Sequence, residues 1–159
     1  MHAQRKIKSL TSLERIVRVA KARGRRVVFT NGCFDLLHAG HVKLLERAKR
    51  LGDLLVVGLN SDRSVRGLKG PGRPIVWQRD RALLLAALES VDYVAIFNDA
   101  TPLRLVKRLR PHVLIKGADW KASDIVGSEA VHQRGGRVVR FPLLKGYSTT
   151  RLIAHIKQI

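Results

Sequence analysis

Residues 29–53, FTNGCFDLLHAGHVKLLERAKRLGD, join a strand-like run to a helix-like run. The stretch begins at the end of a short run of β-branched residues and continues into a segment whose apolar residues recur at helical spacing. Between them lies Gly32, which lets the backbone turn sharply and approach a ligand closely. Two histidines, His38 and His41, follow the turn. The pattern predicts a strand, a tight turn and a helix that begins near Gly40.

The amino-terminal end of the predicted helix is suited to binding an anion. Its first N–H groups have no partner inside the helix, and the helix dipole adds partial positive charge there. His38 and His41 would both project at that end, where imidazole rings can donate hydrogen bonds to phosphate oxygens. Two alternatives remain open. One is a metal site with Asp35 as a third ligand, although nothing else clusters nearby, and the other is a pair of ordinary histidines.

Strand-like and helix-like segments alternate along the rest of the chain. Short runs rich in β-branched residues predict strands that are buried on both faces. These runs are Arg26–Thr30, Leu54–Leu59, Tyr93–Phe97, Val113–Lys116 and Arg137–Phe141. Amphipathic segments predict helices over Thr11–Arg23, Arg79–Glu89 and Thr149–Ile156. A further helix is predicted with Thr101 as its N-cap and Pro102 at its first helical position.

This alternation predicts the fold class and the edge of the sheet at which ligands bind. Strands that alternate with helices form a parallel sheet. We therefore expect an α/β fold, a Rossmann-like three-layer sandwich with a central parallel sheet of about five strands and helices on both faces. Right-handed crossovers bring the carboxyl ends of all strands to one edge, and open α/β sheets bind ligands there. His38 and His41 fall at that edge.

Length and composition fit one domain with a sizeable core. The chain has 159 residues, of which 45% are hydrophobic, and it has no apolar run long enough to span a membrane. The basic amino-terminal residues 1–10 lack the apolar segment and the cleavage site of a signal peptide. The single cysteine, Cys33, excludes an internal disulfide and a multi-cysteine zinc site. These features indicate a cytoplasmic protein.

The net charge of +19 is the unusual bulk property, with 31 Lys and Arg residues against 12 Asp and Glu residues. Such a field attracts phosphates, nucleic acids and acidic membranes. The basic residues are scattered along the chain, mostly on the predicted outer faces of helices, and aromatic residues make up only 5%. A solvated basic surface is the preferred interpretation, and a nucleic-acid-binding module stays the alternative from another class.

Two common phosphate-binding motifs are absent from the sequence. The chain contains no G-x-x-x-x-G-K-[ST] loop and no G-x-G-x-x-G fingerprint. This argues against a P-loop enzyme and against a hydride-transferring dinucleotide fold. One Gly/Pro-rich basic loop, RGLKGPGRPI (66–75), follows the second predicted strand and a short helix. It is placed to cover the ligand-binding edge of the sheet.

The histidine stretch resembles a known family signature. TNGCFDLLHAGH, residues 30–41, is similar to the H-x-G-H signature of a nucleotidyltransferase superfamily. Other stretches then follow one another as in the D-glycero-β-D-manno-heptose 1-phosphate adenylyltransferases. They are LNSD (59–62), LKGPGRPI (68–75), Arg81 with ALESVDYV (87–94), TPLRL (101–105), RPHVLIKGADW (110–120), GSEAV (127–131) and GYSTTRLI (146–153). The resemblance covers residues 11–159.

The resemblance implies a domain organisation and a reaction. It implies a single nucleotidyltransferase domain over residues 1–159, with a leading helix and lead-in over 1–24 and a nucleotide-binding core over 25–159. The family enzyme is sometimes fused to a sugar kinase domain, and this chain resembles the stand-alone form. The implied reaction transfers AMP from ATP to heptose 1-phosphate and gives ADP-heptose and pyrophosphate for the inner core of lipopolysaccharide. Family members commonly associate, so a homo-oligomer is expected, although no apolar stripe identifies an interface.

The resemblance also implies roles for individual residues. The expected catalytic residues are His38, His41 and Lys69. The expected nucleotide-binding residues are Asn31, Gly32, Cys33, Phe34, Gly40, Gly117, Asp119, Trp120, Tyr147, Ser148, Thr149 and Thr150. The expected substrate-binding residues are Asn60, Asp62 and Arg81. Mg²⁺ is expected to arrive with ATP as part of the substrate, and we identify no dedicated metal ligands in the sequence.

Plain structural roles remain open for several of these residues. The Cys33 side chain is interpreted as a small buried thiol without a chemical role. Lys69 could be an ordinary loop lysine, Trp120 a packing residue, Asp62 a helix cap and Arg81 a solvated arginine. Ser148, Thr149 and Thr150 could act only as helix caps.

Two departures from the family pattern concern the sugar more than the reaction. Val76-Trp77 stands where an Asn is common, and Ala118 stands where a second Gly is common. The nearest alternative function is the same chemistry on another pair, such as CTP with glycerol 3-phosphate. That family shares the H-x-G-H motif and an STT helix start. Class I aminoacyl-tRNA synthetases share the first motif only, because K-M-S-K-S is absent here.

Overall fold

Helices and strands alternate along the chain as the sequence predicts. The structure is a computed structural model, and it describes residues 2–117, 124–142 and 147–158. The elements are α1 (His2–Lys6), α2 (Leu10–Ala22), β1 (Val27–Gly32), α3 (Ala39–Lys49), β2 (Leu54–Asn60), α4 (Asp62–Lys69), α5 (Gln78–Ala87), β3 (Tyr93–Phe97), α6 (Leu103–Leu109), β4 (Val113–Gly117), α7 (Ser128–His132), β5 (Arg137–Phe141) and α8 (Thr149–Ile156). Within the described ranges, no helix is long and apolar enough to cross a membrane.

The five strands form one parallel sheet in the order β3-β2-β1-β4-β5. β1 pairs with β2 along its whole length, from Val27 to Gly32. Its pairing with β4 is short, because only Val28 and Phe29 have partners there. The direction of winding reverses between β1 and β4, so the carboxyl end of β1 lies at the topological switch point of the sheet.

Helices cover both faces of the sheet, which confirms the predicted α/β fold. Successive residues of a buried strand point to opposite faces. Phe29 accordingly packs with residues of α2, α6 and α7, which include Val17, Leu105 and Val131. Val28 packs on the other face with residues of α3 and α5, which include Leu45 and Leu85. All seven residues of β2 are buried, as expected of a central strand apolar at successive positions.

The start of α6 differs from the sequence prediction because a different residue is the N-cap. Pro102 is the N-cap of α6, so the prediction of Thr101 as the cap and Pro102 as the first helical residue is wrong by one position. Ser9 caps α2, and its hydroxyl accepts a hydrogen bond from the Ser12 N–H at 3.3 Å. The five-residue helices α1 and α7 were not predicted, because five residues are too few to show a helical period.

Candidate active site

A stacked pair of imidazole rings lies where β1 ends and α3 begins. His38 is the N-cap of α3, and His41 lies in its first turn. Their ring centroids are 3.8 Å apart, and the ring planes differ by 19°. The His38 carbonyl accepts hydrogen bonds from the N–H groups of His41 and Val42, which fixes the start of the helix. The geometry therefore brings two ring donors to the end of α3 that attracts anions.

The turn between β1 and α3 contains a backbone outlier. Phe34 has φ of 45°, in the left-handed region that residues with side chains rarely adopt. Its buried ring covers Gly32, where an added Cβ would lie 3.0 Å from the Phe34 Cε2 atom. The same ring lies 5.1 Å from the His41 ring, centroid to centroid. Strained backbone of this kind persists where the surroundings hold it and is frequent at functional sites.

Gly40 allows the carboxyl-terminal segment to reach the histidine pair. A Cβ at this position would lie 3.0 Å from the Cε1 and Nδ1 atoms of His38 and 3.2 Å from the Cβ of Tyr147. The Tyr147 ring stands 6.3 Å from the His38 ring. Ser148 is the N-cap of α8, and its hydroxyl accepts the Arg151 N–H at 3.1 Å. The first turn of α8 therefore begins beside the first turn of α3.

Buried polar atoms without partners are concentrated at this site. Among the described residues, four buried side-chain atoms make no hydrogen bond, and all four belong to residues 30–41. They are Thr30 Oγ1, Asn31 Oδ1, His38 Nδ1 and His41 Nδ1. A buried polar atom left unpaired costs about 1–3 kcal/mol, and folded proteins keep few of them. Their clustering marks the end of β1 and the start of α3 as a place built for a polar ligand.

Both histidines are uncharged at neutral pH in the ligand-free protein. Burial lowers the pKa of His41 to about 4, the neighbouring His38 adds to the shift, and the Leu36 backbone partly opposes it. Burial also lowers the pKa of His38 below its usual value. A neutral imidazole carries one N–H donor. The pair can therefore donate hydrogen bonds to phosphate oxygens without being charged beforehand.

The low pKa of His41 makes the stability of the ligand-free protein depend on pH. The unfolded chain binds a proton near pH 6.5 and the folded chain only near pH 4, so acid favours unfolding. The contribution is complete above pH 6.5, and about 2 kcal/mol of it should be lost on going from pH 8 to pH 5. We expect His41→Gln to lose about 2 kcal/mol less than the wild type over this range, as measured by urea unfolding.

An exposed histidine provides the control for that measurement. His132 lies on the surface of α7, and the variant His132→Gln should show the wild-type dependence on pH. Equal losses in the wild type and in His41→Gln would contradict the neutral, buried state of His41.

Four cations surround the turn that carries Cys33. Burial raises the pKa of the Cys33 thiol, while the positive charges of Lys69, Arg81, Lys116 and Arg73 act to lower it. The Lys116 ammonium donates to the Asn31 carbonyl at 2.9 Å and thus stands at the end of β1. Several positive charges close to one loop create a local potential that attracts anions, although Asp35 and Asp62 pair with Arg73 and Arg81.

Lys69 reaches this group from a helix. The sequence interpretation placed it on the Gly/Pro-rich loop, but it is the last residue of α4, and the loop begins at Gly70. The position of the helix end has a local cause. Gly70 has φ of 86°, which favours glycine and ends the helix one residue after Lys69.

Arg81 differs most from its sequence interpretation. The alternative of a solvated arginine is wrong, because the side chain is 0% exposed. The expected substrate contact stays a prediction, and in this structure the guanidinium is engaged by protein groups. Its guanidinium donates to the carboxylate of Asp62 at 2.7 Å and to the carbonyls of Asn60 and Val76 at 2.9 Å, as well as to the Cys33 carbonyl. The positive charge is held inside the protein, next to the site rather than in it.

The residues at the carboxyl end of β2 are also engaged by the protein. Asp62 is mostly buried against Arg81 and does not cap α4, since Ser61 is the N-cap and its hydroxyl accepts the Ser64 N–H at 3.1 Å. The capping alternative for Asp62 is therefore wrong. The Asn60 side-chain amide donates to the Ser64 hydroxyl at 2.9 Å. Contact of Asn60 and Asp62 with a sugar phosphate stays a prediction.

The remaining predicted residues fall at the same edge or outside the described ranges. Gly117 is the last residue of β4 and pairs with Phe141 of β5. Thr149 and Thr150 form the first turn of α8. Asp119 and Trp120 lie outside the described residues.

Asp35, the third ligand of the alternative metal site, is engaged by protein groups in this structure. One carboxylate oxygen accepts the N–H groups of Ile75 and Val76 at 2.8 and 3.0 Å, and the other pairs with Arg73. In residues 2–117, 124–142 and 147–158, no group of three His, Cys, Asp or Glu side chains could hold a metal ion. The pairing of Asp35 with Arg73 could not be predicted from the sequence, because the two residues are distant in the chain and share no periodic pattern.

A second feature, a basic groove, lies away from the histidine pair. It has a volume of about 830 Å³ and runs between α2 and α6. Six basic side chains line it, namely Arg15, Arg18, Lys21, Lys107, Arg108 and Arg110. Two of these charges are engaged, since Arg108 pairs with Glu14 and Lys21 donates to the carbonyls at the end of α6. Part of the unusual net charge is thus found on this helical face.

Fold and site together define an α/β domain with a histidine pair and a cluster of buried polar atoms at the carboxyl edge of its parallel sheet. The chain belongs to the cytidylyltransferase-like family, whose model matches residues 29–154. It is therefore a nucleotidyltransferase, as the histidine stretch indicated. The match covers most of β1, the turn, the histidine pair and most of α8.

Comparison with curated proteins extends the match to nearly the whole chain. The bifunctional protein HldE of Geotalea uraniireducens is 55% identical over 152 residues, which are 96% of this chain and 31% of that protein. HldE of Geobacter sulfurreducens is 54% identical over 151 residues, with 95% and 31% covered. The chain thus spans about a third of the length of these curated relatives.

Two solved structures share the fold. The lipopolysaccharide core biosynthesis protein from Thermoplasma volcanium has a TM-score of 0.64 and 28% identity, and the match covers 79% of this chain and all of that one. A pantoate-beta-alanine ligase from Francisella tularensis has a TM-score of 0.62 and 14% identity, over 96% of this chain and 78% of that chain. At that identity the second likeness concerns the fold alone.

Proposed function

We propose that this protein transfers AMP from ATP to D-glycero-β-D-manno-heptose 1-phosphate, giving ADP-heptose and pyrophosphate for the inner core of lipopolysaccharide. The ordered stretches that resemble heptose adenylyltransferases support the substrate pair. The similarity to HldE and to a lipopolysaccharide core biosynthesis protein supports the biological setting. The observation that carries the site is the cluster of unpaired buried polar atoms around the stacked histidines.

The reaction needs alignment and charge stabilisation more than it needs a strong base. A phosphate oxygen of the sugar phosphate attacks the α-phosphorus of ATP, a P–O bond forms there, and the bond to the β-phosphate bridging oxygen breaks to release pyrophosphate. The nucleophile is largely ionised at neutral pH, because the second pKa of a phosphomonoester is about 6. Positioning and preorganised donors then supply most of the rate enhancement.

The histidine pair is proposed to act at the α-phosphate. His38 and His41 donate N–H groups to its oxygens, and this contact strengthens as negative charge builds up in the transition state. Their neutral state in the ligand-free protein favours this role, since binding costs no loss of a proton or of an existing ion pair. Lys69, Arg73 and Lys116 are proposed to balance the charge of the triphosphate.

The nucleotide and the metal ion are proposed to enter together. The N–H groups after Gly32 and the first turn of α8, from Ser148 to Thr150, would contact the phosphates, as helix amino termini do elsewhere. Divalent cations generally accompany triphosphates in such reactions, and Mg²⁺ would be held mainly by the phosphate oxygens. We further propose a cytoplasmic location, a single domain with residues 1–24 packed on the core, and self-association.

A substrate panel tests this function directly. The protein is incubated with each of ATP and CTP in combination with heptose 1-phosphate, glycerol 3-phosphate or another sugar phosphate, and pyrophosphate release is measured. The pair of ATP and the heptose phosphate should give a kcat/KM at least about tenfold above every other pair. The β-anomer should be preferred over the α-anomer.

The substrate panel also tests the second candidate pair of substrates. The matched family is described as cytidylyltransferase-like, so CTP with glycerol 3-phosphate is the second candidate pair. Preference for that pair would replace the proposed substrates while keeping the chemistry at the histidine pair. Release of pyrophosphate from no pair would overturn the proposed function. Binding of short RNA that persists at physiological salt would favour the nucleic-acid alternative.

A further inference from the structure

Two buried ionic side chains hold the backbone of Val76, in the loop before α5, through its N–H and its carbonyl. The N–H of Val76 donates to the carboxylate of Asp35 at 3.0 Å, and the carbonyl of Val76 accepts from the guanidinium of Arg81 at 2.9 Å. Asp35 is 2% exposed and Arg81 is 0% exposed. Charged side chains are rarely buried to this degree unless their partners are fixed. Both backbone polar groups of Val76 are therefore bonded to buried charged side chains.

The same two side chains reach the loop that carries the histidines. Asp35 belongs to that loop itself, three residues before His38. Arg81 donates to the carbonyl of Cys33 on this loop and to the carbonyl of Asn60 at the end of β2. The guanidinium therefore joins three segments that are separate in sequence, and its charge is balanced by Asp62 at 2.7 Å. We call this set, Asp35, Arg81 and the backbone N–H and carbonyl of Val76, the Val76 clamp.

The Val76 clamp also fixes the position of the Arg73 guanidinium. The second carboxylate oxygen of Asp35 pairs with the Nε of Arg73, whose side chain is largely buried. Arg73 and Lys69 both lie close enough to Cys33 to influence its thiol electrostatically. Because the loop that bears Arg73 is tied to the histidine loop, the cations and the imidazoles keep a fixed spacing before any substrate binds.

We propose that Asp35 and Arg81 are positioning residues, which set the spacing between the histidine pair and the cations on residues 69–73 and do not touch the substrates themselves. This inference rests on the proposed function for its kinetic consequences. The clamp is assigned by the hydrogen bonds of the ligand-free protein, so part of its test does not depend on turnover.

The first test uses amide hydrogen exchange in the ligand-free protein. The N–H groups of Ile75 and Val76 should exchange slowly in the wild type, and Asp35→Asn should speed their exchange at least about tenfold. Asp92 offers a matched control at the amino end of β2, away from the histidine pair. Its carboxylate accepts the Leu55 N–H at 2.7 Å and pairs with Lys49. Asp92→Asn should leave the exchange of Ile75 and Val76 unchanged.

The second test compares kinetic constants and ATP affinity. Asp35→Asn and Arg73→Gln should each weaken ATP binding about tenfold by calorimetry, and the double variant should be no weaker than either, because Asp35 acts through Arg73. Arg81→Lys should lower kcat about tenfold or more, since an ammonium cannot serve four acceptors in a planar fork. Asp92→Asn should keep wild-type ATP affinity and kcat.

The outcomes separate this proposal from the proposed function. Slow exchange at Val76 that Asp35→Asn leaves unchanged, or additive losses of ATP affinity in the double variant, would overturn the clamp. The clamp would also be overturned if Asp35→Asn lowered stability but left ATP affinity and kcat at their wild-type values. If the wild type turned over no substrate pair, the proposed function would fail, while exchange and ATP affinity would still decide the clamp. Arg73→Gln keeps the test valid if Arg81→Lys does not fold.

Discussion

His38→Ala and His41→Ala should each lower kcat at least about a hundredfold while the protein stays folded. The reason is that each ring is proposed to donate to the α-phosphate oxygens in the transition state, and losses of this size follow removal of one preorganised donor. The ring centroids are 3.8 Å apart, so loss of one ring also removes the stacking contact that orients the other. Steady-state kinetics with ATP and heptose 1-phosphate, together with thermal unfolding, measures both effects.

An exposed histidine again provides the comparison. His132→Ala changes the same residue type on α7 and should keep kcat within about twofold of the wild type. Near-normal turnover in both His38→Ala and His41→Ala would remove the pair from the mechanism. A loss of turnover that simply follows loss of folded protein would remove it as well.

Gly40→Ala should lower kcat about tenfold to a hundredfold, although it adds a single methyl group. The new Cβ would stand 3.0 Å from the His38 ring and 3.2 Å from the Cβ of Tyr147, which is closer than ordinary contact. The His38 ring or the segment before α8 has to move by a few tenths of an ångström, and misplacement on the scale of 1 Å can cost about a hundredfold. Alanine favours helices more than glycine, so the rate should fall without a matching loss of helix stability.

A second helical glycine isolates the steric effect. Gly67 lies in α4, is exposed, and a Cβ added there meets nothing within 4 Å. Gly67→Ala should keep wild-type kcat and gain up to about 1 kcal/mol in the free energy of unfolding from helix propensity. Equal kinetic effects at Gly40 and Gly67, or no effect at Gly40, would show that the close approach of His38 and Tyr147 does not matter for turnover.

The parts of the fold that follow from local sequence were predictable. The strands β3 and β5 coincide with their predicted ranges, because β-branched residues at successive positions are a local signal. The helix α8 also begins and ends where its Ser148 cap and apolar spacing indicate. The exit of β1 into a Gly-containing turn, followed by His38 and His41, was enough to place the pair at the carboxyl edge of the sheet.

Long-range pairing of charged groups was not predictable. Arg81 lies in a helix with other basic residues nearby, so its pattern allowed a solvated side chain, and the expected phosphate contact came from the family resemblance. Its burial depends on three carbonyls, at Cys33, Asn60 and Val76, that become neighbours only when separate segments meet. Asp35 was considered only as the third ligand of an alternative metal site, and nothing in the local sequence points to its pairing with Arg73.

We propose that a neutral imidazole pair, between the end of β1 and the start of α3, holds the triphosphate of ATP. A crystal structure of the protein with Mg²⁺ and ATP would show whether it does. We predict phosphate oxygens within hydrogen-bond distance, about 3 Å, of ring nitrogens of His38 and His41. A triphosphate bound elsewhere, for example in the basic groove between α2 and α6, would contradict the account. So would crystals in which ATP at saturating concentration does not bind at all.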